Sequence, residues 1–244
     1  MSEPPHADAA RAPAYRHRRG RGPTLVFLPG YRSDMEGSKA SALDAWAAAE
    51  GRAMVRFDYA GCGSSAGAFE VQTLHGWRDD ALAMIDRVAQ GPVVLVGSSM
   101  GGWLMLLAAL ARPERVAGLV GIAAAPDFTS WGYSEEQKLI LLREGRLVEP
   151  NPYDDDPMVT TRAFWESGEA LRLLPSPIDV DCPVRLLHGQ RDTDVPWTWA
   201  LEIASHLRSS DVQTMLVKDG DHRLSRESDL ALLIATVKSL MESL

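Results

Sequence analysis

The sequence predicts an α/β protein with a mostly parallel, doubly wound sheet, and three observations lead there. Short apolar runs alternate with longer helix-forming segments from Thr24 to the C-terminus, the pattern of repeated strand–helix–strand units. Gly and Pro fall between these segments rather than inside them, at Gly51, Gly91 and Pro113, where helices stop and strands begin. One strand, Val93–Val94–Leu95–Val96, runs straight into Gly97–Ser98–Ser99–Met100–Gly101 and then into the Pro-free segment Trp103–Leu110. Strand, G-x-S-x-G and helix in that order form the context of a nucleophile elbow. A sheet of this kind is covered on both faces through right-handed crossovers, and its ligands bind beyond the carboxyl ends of the strands.

Taken in order, residues 1–13 are rich in Pro and Ala and read as a disordered tail. Arg11, Arg16, Arg18, Arg19 and Arg21 make the next stretch basic, but it carries no apolar core of a secretory signal. Ala14–Arg18 is expected to be an edge strand, Arg19–Gly22 a turn and Thr24–Leu28 a buried strand, together an N-terminal antiparallel hairpin. Lys39–Glu50 reads as an Ala-rich helix stopped by Gly51, and Met54–Phe57 as the next strand. Thr73 is placed to cap a helix over Leu74–Ala89. After the elbow helix come a strand at Val116–Ile122, a strand at Val184–Leu187, a helix at Trp197–Leu207, a strand at Val212–Val217 and a terminal helix at Ser225–Ser243. Residues 14–244 are thus expected to form one domain.

One segment breaks the rhythm. Residues of about 127–181 hold Pro150, Pro152, Pro157, Pro175 and Pro177 and the acidic run Asp154–Asp155–Asp156. Two amphipathic helices fit inside, Ser134–Glu144 with Ser134 as its cap, and Val159–Ser167. A structureless loop of this length is unusual in a compact domain, so the insertion is expected to be a small helical cap over the strand ends.

Composition excludes several classes. The net charge of −8 disfavours nucleic acid or an anionic membrane as the main partner. No apolar run reaches the ~20 residues of a membrane span. Cys62 and Cys182 are the two cysteines, too few for a disulfide framework or a thiolate metal site. A reducing, cytoplasmic setting is the expectation, and no metal or cofactor is called for.

The chemistry centres on Ser99. An elbow turn puts its serine in a strained conformation and needs small neighbours on both sides. Gly97 and Gly101 flank Ser99 in that way, whereas Ser98 would be flanked by Val96 and Met100. The helix that follows offers unpaired N–H groups and a positive dipole end to a developing oxyanion. A serine in this position needs a base, and the base needs a group to orient it. Of six histidines, His222 lies in the loop between the last strand and the last helix, which returns to the carboxyl edge of the sheet. The loop after the preceding strand, His188–Gly189–Gln190–Arg191–Asp192–Thr193–Asp194–Val195–Pro196, supplies an acid. Asp127, which follows the strand after the elbow helix, is a third candidate carboxylate beside Asp192 and Asp194.

Several stretches together resemble a known family. FLPGYRSDMEGSKA (27–40), RFDYAGCGSS (56–65), VGSSMGGWLML (96–106), CPVRLLHGQRDTDVPW (182–197) and DHR (221–223) are similar to the α/β-hydrolases. Within them they resemble the group of palmitoyl-protein thioesterases and acyl-glucuronide esterases typified by α/β-hydrolase domain-containing protein 10. The resemblance implies the α/β-hydrolase fold and a catalytic triad of Ser99, Asp192 and His222, with Asp192 matching the family pattern G-x-x-D-x-x-V-P. It also implies an oxyanion hole from the backbone N–H groups of Tyr31 and Met100. Where many members carry His–Gly, this chain has Pro29–Gly30, which keeps the Tyr31 N–H and removes one side chain. Animal members of the group are mitochondrial, so a eukaryotic source would shift the expected compartment.

The expected function is hydrolysis of a carboxylic ester or acyl thioester, on a small molecule or an acylated protein, through an acyl-enzyme and without a cofactor. Trp103, Trp131 and Trp165 are candidates to line an apolar acyl pocket, although tryptophan serves more often as core or cap packing. Two alternatives stand beside this reading: C–C bond or amide hydrolysis on the same triad, and a non-catalytic binding protein that keeps the fold.

Overall fold

The computed structural model describes residues 13–150 and 157–244, so the expected tail lies almost wholly outside the described residues. Seven strands form the main sheet. In chain order they are β1 (Tyr15–Arg18), β2 (Arg21–Leu28), β3 (Arg52–Phe57), β4 (Val93–Ser98), β5 (Val116–Ile122), β8 (Val184–Gly189) and β9 (Val212–Val217). Their spatial order is β1-β3-β2-β4-β5-β8-β9. Every pairing is parallel except that of β1 with β3. The numbers β6 (Arg146–Glu149) and β7 (Met158–Thr161) belong to a separate antiparallel pair inside the insertion.

The expected N-terminal hairpin is corrected by this order. β1 is an antiparallel edge strand, but its partner is β3 and not β2: Tyr15 pairs with Phe57 and Arg18 with Met54. The connection at Arg19–Gly20 passes over the start of β3, where a Cβ on Gly20 would overlap the Arg52 backbone. Turn residues mark a reversal of direction, and here the reversal leaves a gap that a third strand fills. The charged residues of β1 are tied down, Arg16 to Glu36 at 2.6 Å and Arg18 to Asp44 at 3.0 Å, which keeps the sheet edge polar.

Alternation along the strands sorts the core into two layers. Leu25 and Phe27 of β2 and Val94 and Val96 of β4 face α1 (Ser38–Ala49) and α8 (Glu227–Glu242). Val26 and Leu28, with Val93 and Leu95, face α2 (Leu74–Arg87), α3 (Met100–Ala111) and α7 (Thr198–His206). Thr73 caps α2 by accepting the Gly76 N–H, as the sequence predicts.

The insertion between β5 and β8 holds α4 (Phe128–Trp131), α5 (Glu135–Glu144), β6, β7 and α6 (Arg162–Glu169). Ser134 and Gln137 form a capping box at the start of α5. The second expected helix begins later than its amphipathic pattern suggests. Val159, Thr160 and Thr161 are β-branched and pair with β6, and Thr161 caps α6 by accepting the Phe164 N–H. Asp127 fastens the insertion at its base. Its carboxylate accepts the N–H groups of Leu173, at 2.8 and 3.1 Å, and Leu174, at 2.8 Å.

Candidate active site

Ser99 sits between β4 and α3 with φ 54° and ψ −120°, a conformation that an L-residue holds only when its surroundings impose it. The surroundings here are backbone on every side. The Ser99 N–H donates to the Ile122 carbonyl at 2.9 Å, and its own carbonyl accepts the N–H groups of Gly102 at 2.8 Å and Ala125 at 3.1 Å. A Cβ at Gly97 would overlap the Gly101 backbone, one at Gly101 would overlap Leu28 and Pro29, and one at Gly102 would overlap Ala124. The glycines therefore let α3 begin directly against β4 and β2. Ser98 ends β4 as a buried residue, whereas Ser99 is half-buried, so Ser99 is the more exposed of the two.

Asp192 and His222 come from the neighbouring ends of β8 and β9. Their loops touch through backbone: a Cβ on Gly189 would overlap Gly220 and Asp221, and Arg191 N–H donates to the Gly220 carbonyl at 2.8 Å. His222 Nδ1 lies 2.8 Å from Asp192 Oδ2. An ionised carboxylate only accepts, so Nδ1 carries the proton and Nε2 is left as the basic nitrogen. The Asp192 side chain has no exposed surface, while His222 is 20% exposed. Burial opposes the charge on Asp192, but hydrogen bonds from His188, His222 and the Val195 N–H outweigh it and hold the carboxyl well below the usual range.

Sequence reasoning places His188 at a strand end and gives it no part in the site. In the structure it is fully buried, with Nε2 3.2 Å from Asp192 Oδ2 and 3.0 Å from the Val195 carbonyl. Asp192 Oδ1 accepts the N–H groups of Asp194 at 2.9 Å and Val195 at 2.8 Å. Four donors thus fix one carboxylate. The sequence carries no local signal for this role, because it depends on how the loop after β8 returns Asp192 to the strand end.

Asp127 is spent on Leu173 and Leu174 at the base of the insertion, and burial pushes its carboxyl upward. Asp194 is exposed. One ligand-capable atom each of Asp192, Asp194 and His222 lie within 4.8 Å of one another. They fit a metal poorly, because both Asp192 oxygens already accept hydrogen bonds and His222 Nδ1 is a donor to it.

Tyr31 and Met100 flank the serine. Met100 opens α3, so its N–H is one of the first-turn donors without an intrahelical acceptor. Gly30 brings the loop of Tyr31 against the elbow: a Cβ built there would sit 3.4 Å from Ser99 Cβ. The Tyr31 ring points toward the insertion, packs on Phe69, Trp77, Phe128 and Phe164, and donates its hydroxyl to the Val159 carbonyl at 3.2 Å. The three candidate pocket tryptophans are placed differently from one another. Trp103 is wholly buried, with its indole N–H on the Leu171 carbonyl at 3.2 Å. Trp131 stacks on Trp199 at 5.0 Å and donates to Pro126, and Trp165 donates to Thr129. All three hold the insertion to itself or to the sheet layer.

The chain and its fold are similar to those of known proteins. Residues 23–151 match the family described as serine aminopeptidase S33. The chain is 42% identical over 235 residues to human palmitoyl-protein thioesterase ABHD10, mitochondrial, covering 95% of this chain and 77% of that protein. Its fold is similar to that of mouse α/β hydrolase domain-containing protein 10, with TM-score 0.90, 42% identity and 97% of each chain covered. A putative hydrolase from Agrobacterium vitis superposes with TM-score 0.89 and 40% identity over 94% of this chain and 93% of that one. The word mitochondrial belongs to the names of the mammalian relatives, so the expectation of a cytoplasmic setting gains no support from them. Among the described residues, no helix is long and apolar enough to cross a membrane.

Proposed function

Because the chain belongs to the α/β-hydrolase family, we propose that it cleaves carboxylic esters or acyl thioesters through a covalent intermediate on Ser99. The observation that carries the reading is the buried Asp192 carboxylate 2.8 Å from His222 Nδ1, at the same carboxyl edge of the parallel sheet as a serine held at φ 54°. His222 Nε2 takes the proton of Ser99 as its oxygen attacks the acyl carbonyl, and Asp192 steadies the imidazolium that forms. The N–H groups of Tyr31 and Met100 hold the tetrahedral oxyanion, each worth about 3–4 kcal/mol. His222 then returns the proton to the departing alcohol or thiol, and water repeats the sequence on the acyl-enzyme.

The relatives' printed name supports an acylated protein or a small acyl thioester as the substrate class. The insertion at about 127–181 is the part proposed to select the acyl group, since Tyr31 joins the oxyanion loop to Val159 and Phe164 within it. Treatment with a fluorophosphonate followed by peptide mass spectrometry tests the reading. The adduct is expected on Ser99 and absent from Ser99→Ala. An adduct on Ser98, or none on folded protein, overturns the assignment. A panel of esters, thioesters and amides sharing one acyl group then separates the proposed reaction from amide hydrolysis.

A further inference from the structure

We propose that Arg32 is a positioning residue: it ties the turn that carries the Tyr31 N–H to the insertion, so that the position of this donor depends on the segment around Pro157. The inference rests on the reading above, in which the Tyr31 N–H helps to hold the oxyanion. It adds the residue and the contact that set that donor.

The turn is unusual for its sequence. Residues 30–33 reverse the chain, with the Ser33 N–H donating to the Gly30 carbonyl at 3.1 Å. Arg32 stands third in this turn with φ 56°, a place that favours glycine or asparagine. A larger L-residue is strained there and persists where its surroundings impose the conformation. Arg32 has two such contacts, from distant parts of the chain. Its Nη1 donates to the Pro157 carbonyl at 2.7 Å, just before β7 of the insertion. Its guanidinium lies over the Phe69 ring, 5.0 Å from the centroid, in the 3₁₀ turn Phe69–Val71 ahead of α2.

Tyr31 uses the same two neighbours. Its hydroxyl donates to the Val159 carbonyl at 3.2 Å, and its ring meets Phe69 edge-on at 5.2 Å. Adjacent side chains of one turn thus bond two carbonyls of one segment of the insertion. The far end of the loop is held by the sheet instead. Met35 is buried, its N–H donates to Asp58 Oδ1 at 2.7 Å, and its carbonyl accepts Arg56 Nη1 at 2.7 Å. Both partners lie at the end of β3. Between these anchors Arg32, Ser33 and Asp34 are exposed. With the Arg32 bridge cut, the turn keeps its own hydrogen bond but loses one of its two polar ties to the insertion, and the Tyr31 N–H gains freedom. A misplaced donor costs rate more than substrate affinity, because it acts on charge that develops in the transition state.

The test uses Arg32→Asn, which suits the positive φ and is too short to bridge, and Arg32→Lys, which keeps a cation and a donor. On a short-chain activated ester, Arg32→Asn is expected to lower kcat at least about tenfold, with KM within about threefold of the parent. A trifluoromethyl ketone reads the same donor: Ser99 Oγ adds to its carbonyl carbon, the hydroxyl proton passes to His222, and the carbonyl oxygen becomes an oxyanion. Its affinity should fall by a similar factor, and Arg32→Lys should regain most of both losses. A lower Tm in Arg32→Asn with kcat and ketone affinity unmoved would mean an anchor for the insertion alone and overturns the proposal, as does a change confined to KM. NMR relaxation decides the tether without turnover. The order parameter of the Tyr31 amide should be near the rigid value of about 0.85 in the wild type, fall in Arg32→Asn and recover in Arg32→Lys. An unchanged value overturns the proposal. A wild type that neither cleaves esters nor takes up a fluorophosphonate would count against the hydrolase reading, and the order parameter would still decide the tether.

Discussion

Nε2 of His188 lies 3.2 Å from Oδ2 of Asp192, on the oxygen that also accepts the Nδ1–H of His222 at 2.8 Å. Two imidazoles therefore share one carboxylate oxygen, and one of them has no exposed surface at all. The buried ring is a positioning residue: it holds the carboxylate in the plane that suits the other ring. His188→Phe removes the donor while filling the space, and His188→Gln keeps a donor near Nε2. A hydrogen bond to a charged group is worth about 1.5–3 kcal/mol, so kcat of the Phe variant is expected to fall roughly 10- to 100-fold with KM little changed. The Gln variant should recover most of it. The downfield proton resonance of the His222 Nδ1–H should move further downfield in the Phe variant, since Oδ2 then serves one donor. A loss of stability with that resonance unmoved would mean that His188 is packing alone.

The choice among three carboxylates is testable by isosteric amides. Asp192→Asn is expected to lower kcat by about 10⁴, because the amide presents a donor to His222 and favours the wrong tautomer. Asp194 is exposed and contributes its backbone N–H to Asp192, so Asp194→Asn should stay within about tenfold, or ~1.4 kcal/mol of barrier. A reversed order of the two variants would move the acid to Asp194.

Asp192 also predicts an acid-limb signature. Its folded carboxyl titrates below its unfolded value, burial being outweighed by the donors from His188, His222 and Val195. The ionised form therefore adds stability that is complete above the unfolded value of about 3.9 and is lost as pH falls toward the folded one. Thermal unfolding of the wild type and of Asp192→Asn should differ by a constant amount above pH about 5. The gap should close below pH about 4. A gap that widens on acidification would contradict the hydrogen-bonded, ionised state.

Asp127 should separate stability from activity. Both its oxygens accept N–H groups at the base of the insertion, and an amide nitrogen there faces a donor. Asp127→Asn is expected to cost about 1–3 kcal/mol, read as a lower Tm, with kcat/KM of a small activated ester within about tenfold of the parent. A loss of turnover without loss of stability would return Asp127 to the list of candidate acids.

Phe164 packs on Tyr31 at 5.0 Å and on Trp77 at 5.4 Å, between the insertion and the sheet layer. Phe164→Ala opens space beside the loop of Tyr31 at a cost of about 3–5 kcal/mol. The expected outcome is a shift of the acyl chain-length optimum toward longer chains in a series of esters with one leaving group. An unchanged optimum in a folded variant would argue that the insertion does not select the acyl group.

Much of this was legible in the sequence, and the reasons are local. Gly97 and Gly101 announce Ser99 because only small residues allow α3 to start against β2 and β4. Thr73 and Ser134 announce their helices through the N–H groups they accept. Non-local choices were not legible. Nothing in Ala14–Leu28 says that β3, which starts at Arg52, will enter between two strands that read as a hairpin. His188 was hidden for a related reason: its role depends on the fold of the loop that brings Asp192 back beneath it. The strand β7 was lost inside an amphipathic pattern, where three β-branched residues outweigh helical periodicity once β6 is available to pair.

The carboxylate of Asp127 joins the departure and the return of the insertion within a few ångströms. An excursion whose ends are clamped in this way is nearly indifferent to its own contour length. Doubling a closed loop costs only ~0.6 kcal/mol in chain entropy. The sheet can then carry shorter or longer excursions as exchangeable parts between the same two ends, and this segment can change in length while the strands that bear it stay still.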